Sequence, residues 1–120
     1  MTLPFENKVA LVTGAGSGMG LATAEAFASA GAAVALVDIN QPAVRAVAEQ
    51  LVAAGHKAIA ITCDVTDEAQ VKRMVEETVS AFGRLDAAFN NAGVQSLAVE
   101  TADSTSEEFD RVNAINLRSV

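Results

Sequence analysis

Four glycines in eight residues, Thr13-Gly14-Ala15-Gly16-Ser17-Gly18-Met19-Gly20, stand between a short apolar run and a stretch of helical spacing. The run before them, Lys8 to Val12 (KVALV), is nearly continuous in apolar residues, as expected of a parallel strand buried on both faces. After them, Gly20, Ala24, Phe27 and Ala28 recur at helical spacing from Gly18 to Ala30, and Gly31 supplies a left-handed stop. A strand, a glycine turn and a helix in that order open a βα unit, with the helix N-terminal amides presented at the carboxyl end of the strand. That is where an anion is held, because unpaired N–H groups and the helix dipole both favour negative charge. The loop therefore predicts a phosphate or pyrophosphate against residues 13–20, glycine allowing both φ > 0 and close backbone approach. The alternative is a plain flexible turn.

The spacing narrows the choice. A G-x-G-x-x-G pattern would need a third glycine at Met19 or Leu21, so the pattern present is Thr-Gly-x-x-x-Gly-x-Gly. It lacks the Lys-Ser/Thr ending of a phosphate-binding P-loop, which disfavours a nucleoside triphosphatase.

The same alternation continues. Ala33 to Val37 repeats the buried-strand pattern; Asn40 caps a helix with Pro42 in its first turn and an apolar stripe of Val44, Val47, Ala48 and Leu51 before Gly55. Lys57 to Thr62 is a third strand. Asp67, with Gln70 three residues on, opens a helix whose Val71, Met74, Val75, Thr78 and Phe82 are expected to face the core before Gly83. Leu85 to Phe89 is a fourth strand, followed by the polar turn Asn90-Asn91-Ala92-Gly93 and a loop. Thr105 and Glu108 form a capping box for a helix through Val120, whose stripe of Phe109, Val112, Asn116 and Val120 is expected to face the sheet. Strand and helix alternating four times predict one α/β domain built on a doubly wound parallel sheet.

Composition sets the exclusions. With 51% hydrophobic residues in 120, the chain has the makings of one folded domain with a core. Eight Lys and Arg against fifteen Asp and Glu leave a net charge of −7, which opposes nucleic acid and anionic membrane surfaces as partners. The single Cys63 cannot form an internal disulfide, and no apolar stretch approaches the ~18 residues of a membrane helix, so a reduced, cytoplasmic protein is expected. His56 is the one histidine and has no cysteine near it to suggest a metal site.

Asp38 closes the second strand 18 residues after Gly20, at the sheet edge beside the glycine loop. A carboxylate there can accept hydrogen bonds from an adenosine ribose diol and would repel a 2′-phosphate. Ile39 follows it and the glycine loop carries no Lys or Arg, so NAD is expected in preference to NADP. The alternative for Asp38 is a carboxylate that satisfies free amides at the start of the helix, a role Asn40 is placed to fill.

Taken together and in order, Thr13-Gly14-x-x-x-Gly18-x-Gly20, Asp38, Cys63-Asp64-Val65, Asn90-Asn91-Ala92-Gly93 and Val112-x-x-x-Asn116-Leu117 resemble the short-chain dehydrogenase/reductase family over the whole chain. The resemblance implies a Rossmann-like fold and an NAD-dependent oxidoreductase interconverting an alcohol and a ketone or aldehyde. It also implies that Asp64 bonds the adenine amino group, that the Val65 amide meets the ring, and that Asn90 contacts ribose through its backbone. Asn91 would tie neighbouring strands together, and the Ala92-Gly93 backbone would pass close to the cofactor. Ser17, Gly18 and Met19 would bring amides to the pyrophosphate. Turn capping is the alternative for Asp64, and an amide bonding backbone or a buried water is the alternative for Asn116. In the resembling family the residue matching Asn116 holds a water in a proton relay to a catalytic lysine. That lysine, a tyrosine acid/base and a carbonyl-orienting serine lie further along family members, and this sequence contains no tyrosine. Residues 1–120 are thus expected to be the cofactor-binding portion of a single-domain protein cut within its fourth helix, homo-oligomeric by the same analogy. A non-catalytic dinucleotide-binding module is the reading from a different class.

Overall fold

Val9–Thr13 (β1) is buried at all five positions, which requires a neighbour on each edge and a layer on each face. The computed structural model, which describes residues 3–93 and 105–120, supplies them. β1 pairs in parallel with Ala33–Asp38 (β2) on one side and Ala87–Phe89 (β4) on the other, and β2 pairs with Ala58–Thr62 (β3), giving the order β3-β2-β1-β4. Val9 stands opposite Ala33, Ala10 opposite Ala87, and Val34 opposite Ala58. The chain steps outward from β1 through β2 to β3, then crosses back to β4. The ends of β1 and β4 are therefore the point where strand order reverses, the position at which open α/β sheets bind ligands.

Alternate residues of the strands feed two cores. Ala10, Val12, Val34 and Leu36 pack on one face against Ala24 and Ala28 of Gly18–Ser29 (α1) and against Val44, Val47, Ala48 and Leu51 of Gln41–Ala53 (α2). Leu11, Ala35, Val37, Ile61 and Cys63 pack on the other against Met74 of Glu68–Phe82 (α3). Each fully buried Leu or Val contributes about 1.5–3 kcal/mol relative to exposure. Among the described residues no helix is long and apolar enough to cross a membrane.

The expected helix signals operate as hydrogen bonds. Asn40 Oδ1 accepts from the Ala43 amide at 3.1 Å, and Asp67 Oδ1 accepts from the Ala69 and Gln70 amides. The Gln70 bonds, backbone and side chain, hold the Asp67 carboxyl below its ordinary range. Gln70 does more than complete the cap. Its Nε2 donates to Asp67 Oδ2, while its Oε1 accepts from the Asp64 amide at 2.9 Å, so the helix start is tied to the end of β3. Gly31, Gly55 and Gly83 follow the first three helices with φ of +100°, +94° and +82°.

Three expectations are corrected. The fourth strand is Ala87–Phe89 rather than Leu85 to Phe89, because the Val9 amide is taken by the Asp86 carboxylate at 2.8 Å instead of a backbone carbonyl. On α3, Met74 and Thr78 are buried, but Val75 is exposed and Val71 and Phe82 are half-buried, since the flank of α3 toward β4 borders an open hollow lined by Val71, Val75, Leu85 and Ala88. The last helix is α-helical only over Ser106–Asn113 (α4), capped by Thr105 Oγ1 on the Glu108 amide, and widens to a π-helix over Ala114–Arg118. The stripe does not carry through: Phe109, ahead of the wider turn, is 66% exposed, and past it, where the helical phase has shifted, Asn116 is exposed and Val120 is 72% exposed, while Val112 and Ile115 are half-buried. The loop expected before Thr105 lies outside the described residues from 94 to 104.

Asp86 clamps the opposite end of the sheet. Besides the Val9 amide it accepts from Arg84, Nη2 to Oδ1 at 2.6 Å, and the Arg84 bond, with that of Val9 second, lowers its pKa. A lowered folded-state pKa stabilises above the unfolded value of about 3.9 and loses that contribution as pH falls through the folded value. Asp86→Asn should therefore lower the urea midpoint at pH 7, and the gap from wild type should close as unfolding is repeated below about pH 4.

Candidate functional site

The carboxyl ends of β1, β2, β3 and β4 converge on a cleft of about 340 Å³. Its rim begins at the glycine turn, where each glycine has its own reason to be there. Gly14 and Gly18 have φ of +67° and +58°, where L side chains are strained. A side chain on Gly20 would strike the carbonyl oxygen of Gly14 and come within 2.7 Å of Asn91 Nδ2, so the first turn of α1 lies directly on the backbone of the loop. At Gly16 a Cβ would sit 2.8 Å from Asp38 Oδ2. Gly18 differs, because nothing lies within 4 Å of the place a Cβ would take. Ser17 is the N-cap residue of α1 but its side chain makes no capping bond. The first-turn amides, which have no acceptor within a helix, are thus left uncapped by it at the open position.

Gly14, Ser17, Asp38, Asp64, Val65, Ala92 and Gly93 all line this cleft, joined by Ile39, Cys63 and Ile115. Gly18, Met19 and Gly20 stand beside it on the first turn of α1, with Met19 72% exposed. Asn90 instead lines the neighbouring hollow with Thr13, Val65 and Ser119. Asn116 reaches the same end of the sheet: its Oδ1 lies 3.2 Å from the position of a Cβ on Gly93.

Both carboxylates already hold protein amides. Asp38 Oδ2 accepts from the Gly16 amide at 2.9 Å and Oδ1 from the Asn40 amide at 3.1 Å. Asn40 does cap α2, yet Asp38 also takes the amide-binding role. Asp64 Oδ1 accepts from the amide and hydroxyl of Thr66 at 2.9 and 2.6 Å, which is turn capping. An ionised carboxylate offers about four acceptor positions, so two bonds leave room for a ligand donor on each. Between them Cys63 forms buried floor, its thiol pKa raised by burial and then by the Asp64 charge, which keeps it a neutral lining group. Among the described residues no three His, Cys, Asp or Glu side chains are grouped to hold a metal ion.

The residue without an assigned role in the sequence reading is Thr13. Buried at the end of β1, its Oγ1 accepts from the amides of Asn91 and Ala92 at 3.0 and 3.1 Å and lies 3.5 Å from the Phe89 carbonyl. One hydroxyl thus gathers the turn after β4 against the turn after β1. A polar residue closing an otherwise apolar strand was the available signal. Ile115 had none, since which side of the last helix meets the cleft depends on its π-helical phase.

Comparison with known proteins agrees with this geometry. The family model for short chain dehydrogenase matches residues 8–120. Cyclohexanol dehydrogenase of Acinetobacter sp. (strain SE19) is 42% identical over 120 residues, covering 100% of this chain and 48% of the relative. The crystal structure of 3-ketoacyl-(acyl-carrier-protein) reductase from Brucella melitensis, complexed with NADH, superposes with a TM-score of 0.91 at 40% identity, over 97% of this chain and 47% of that one. A short chain dehydrogenase/reductase from Burkholderia phymatum in complex with NAD gives 0.93 at 36% identity, over 96% and 41%. The chain spans less than half the length of these relatives.

Thr13→Val keeps the shape of the side chain and removes the oxygen that receives two amides. The expected result is a loss of about 1–3 kcal/mol in unfolding free energy, read by denaturant titration, with faster amide exchange at Asn91 and Ala92.

Proposed function

The chain belongs to the short-chain dehydrogenase family, and from that premise we propose that its cleft holds NAD for an oxidoreductase that interconverts an alcohol and a carbonyl compound. The observation that carries the reading is the open position at Gly18. It is a left-handed glycine with no protein atom where a side chain would go, at the start of a helix whose N-cap side chain makes no capping bond. A helix N-terminus with that space suits a pyrophosphate.

In this reading the amides of Ser17, Gly18 and Met19 meet the pyrophosphate, with Gly14 and Gly20 letting loop and helix close up beneath them. Asp38 accepts from the adenosine ribose diol and Asp64 from the adenine amine, using the acceptor positions their own amide bonds leave free. Val65 lies against the adenine, and the backbone of Asn90, Ala92 and Gly93 borders the ribose toward the nicotinamide. A bound nicotinamide supplies the hydride acceptor or donor. Asn116, beside Gly93, is the residue of this chain nearest the proton chemistry, and we assign it to holding a water there. The tyrosine, lysine and serine of the resembling family are outside the residues this chain supplies to the site. The substrate is a small molecule carrying a CH–OH or C=O group. NAD is favoured over NADP because Asp38 places negative charge where a 2′-phosphate would lie and Ile39 beside it offers no cation.

Two measurements test this. Gly18→Val puts a branched side chain into the open position and should abolish NAD binding in a fluorescence or calorimetric titration; unchanged affinity would remove the pyrophosphate from this loop. Asp38→Ala should weaken NAD more than NADP, and an equal loss for both would take Asp38 out of the ribose site.

A further inference from the structure

Gly16 is the one position of the glycine turn explained neither by backbone conformation nor by the approach of another main chain. Its φ is not among the positive values, so its backbone is open to any L residue. The obstacle is a side chain: a Cβ there would lie 2.8 Å from Asp38 Oδ2 and 3.3 Å from Asp38 Cγ, with Ala43 Cβ at 3.1 Å. The Gly16 amide donates to that same Oδ2 at 2.9 Å, while Oδ1 holds the Asn40 amide. One carboxylate therefore links the glycine turn, the end of β2 and the start of α2. Two further bonds frame it: the Ala15 amide donates to the Val37 carbonyl at 3.0 Å, and the Cys63 amide donates to the Asp38 carbonyl at 3.1 Å.

We propose that Asp38 is a positioning residue for the glycine turn as well as a cofactor ligand, and that Gly16 is glycine so that this carboxylate can close on its amide. The loop is then set in place before the cofactor arrives, and the cost of ordering it is not charged to binding. Discrimination between ribose and 2′-phosphoribose and the shape of the pyrophosphate loop become coupled through one side chain. A substitution made at Asp38 to admit NADP also loosens the loop that both cofactors share.

The consequence is non-additivity. NAD affinity is measured for the full-length protein and for Gly16→Ala, Asp38→Ala and the double variant, each checked by thermal unfolding. Gly16→Ala should weaken NAD about tenfold when Asp38 is present and no more than about threefold when position 38 is alanine, a coupling of ordinary size for groups in contact. Equal losses in the two backgrounds overturn the proposal. This part rests on the cofactor reading above; a second part does not. In cofactor-free protein, the amide of Gly16 should exchange at least about tenfold faster in Asp38→Ala than in wild type, and in Asp38→Asn, which keeps the shape but turns one acceptor into a donor, Gly16 or Asn40 should do the same. Unchanged exchange at both amides in a folded variant overturns the positioning role of Asp38 whatever NAD does. Rapid exchange in the variants with no NAD binding by wild type keeps the positioning role of Asp38 and removes the cofactor.

Discussion

The first turn of α1 lies directly on the backbone of the loop that precedes it, and the rest of the site depends on that approach. Gly20 has room only for hydrogen above the Gly14 carbonyl, and Gly14 itself lies against Asn91 and Ala92. With no side chain on either glycine, helix and loop close onto each other and onto the Asn91 amide group from the turn after β4. Thr13 then supplies the oxygen that the two amides of that turn require. An ordinary residue at Gly14 or Gly20 would hold these backbones apart, and the rim of the cleft would be displaced.

Around this contact the polar groups are arranged as paired attachments. Asp38 fastens the loop to the start of α2, Asp64 fastens its own turn through Thr66, and Gln70 reaches from α3 to the Asp64 amide. At the far end of the sheet Asp86 joins β4 to β1 and keeps Arg84 as its ion-pair partner. No described buried side-chain polar atom is left without a hydrogen bond. Carboxylates that hold backbone amides are fixed in orientation before any ligand reaches them, and their remaining acceptor positions then point in defined directions.

Much of this was legible in the residues. Apolar runs located β1, β2 and β3 to within a residue; β1 and β2 are covered on both faces, which leaves little choice but apolar side chains, while β3 is a partly exposed edge strand. Asn40, Asp67 and Thr105 were legible as caps, because few side chains can reach the first free amides of a helix. The fourth strand read two residues too long, since nothing local announces that a carboxylate will replace a carbonyl at Val9. The stripe on the last helix failed beyond Asn113 for a similar reason: a period of 3.6 assumes an unbroken α-helix, and the π-helical stretch at Ala114–Arg118 changes the phase.

The sequence by itself determined the order of strands and helices, the place of the glycine turn at the start of the first helix, and the side-chain chemistry of Asp38, Asp64 and Asn116. These follow from periodicity, capping and acid–base character, which are properties of neighbours along the chain. Only the tertiary structure decided what each glycine is for, that Thr13 holds the turn after β4, and that Asp38 serves the loop as well as the cleft. Those depend on which groups from residues 13, 16, 38 and 91 arrive at one place, and distances across a fold are set by packing rather than by spacing in the sequence.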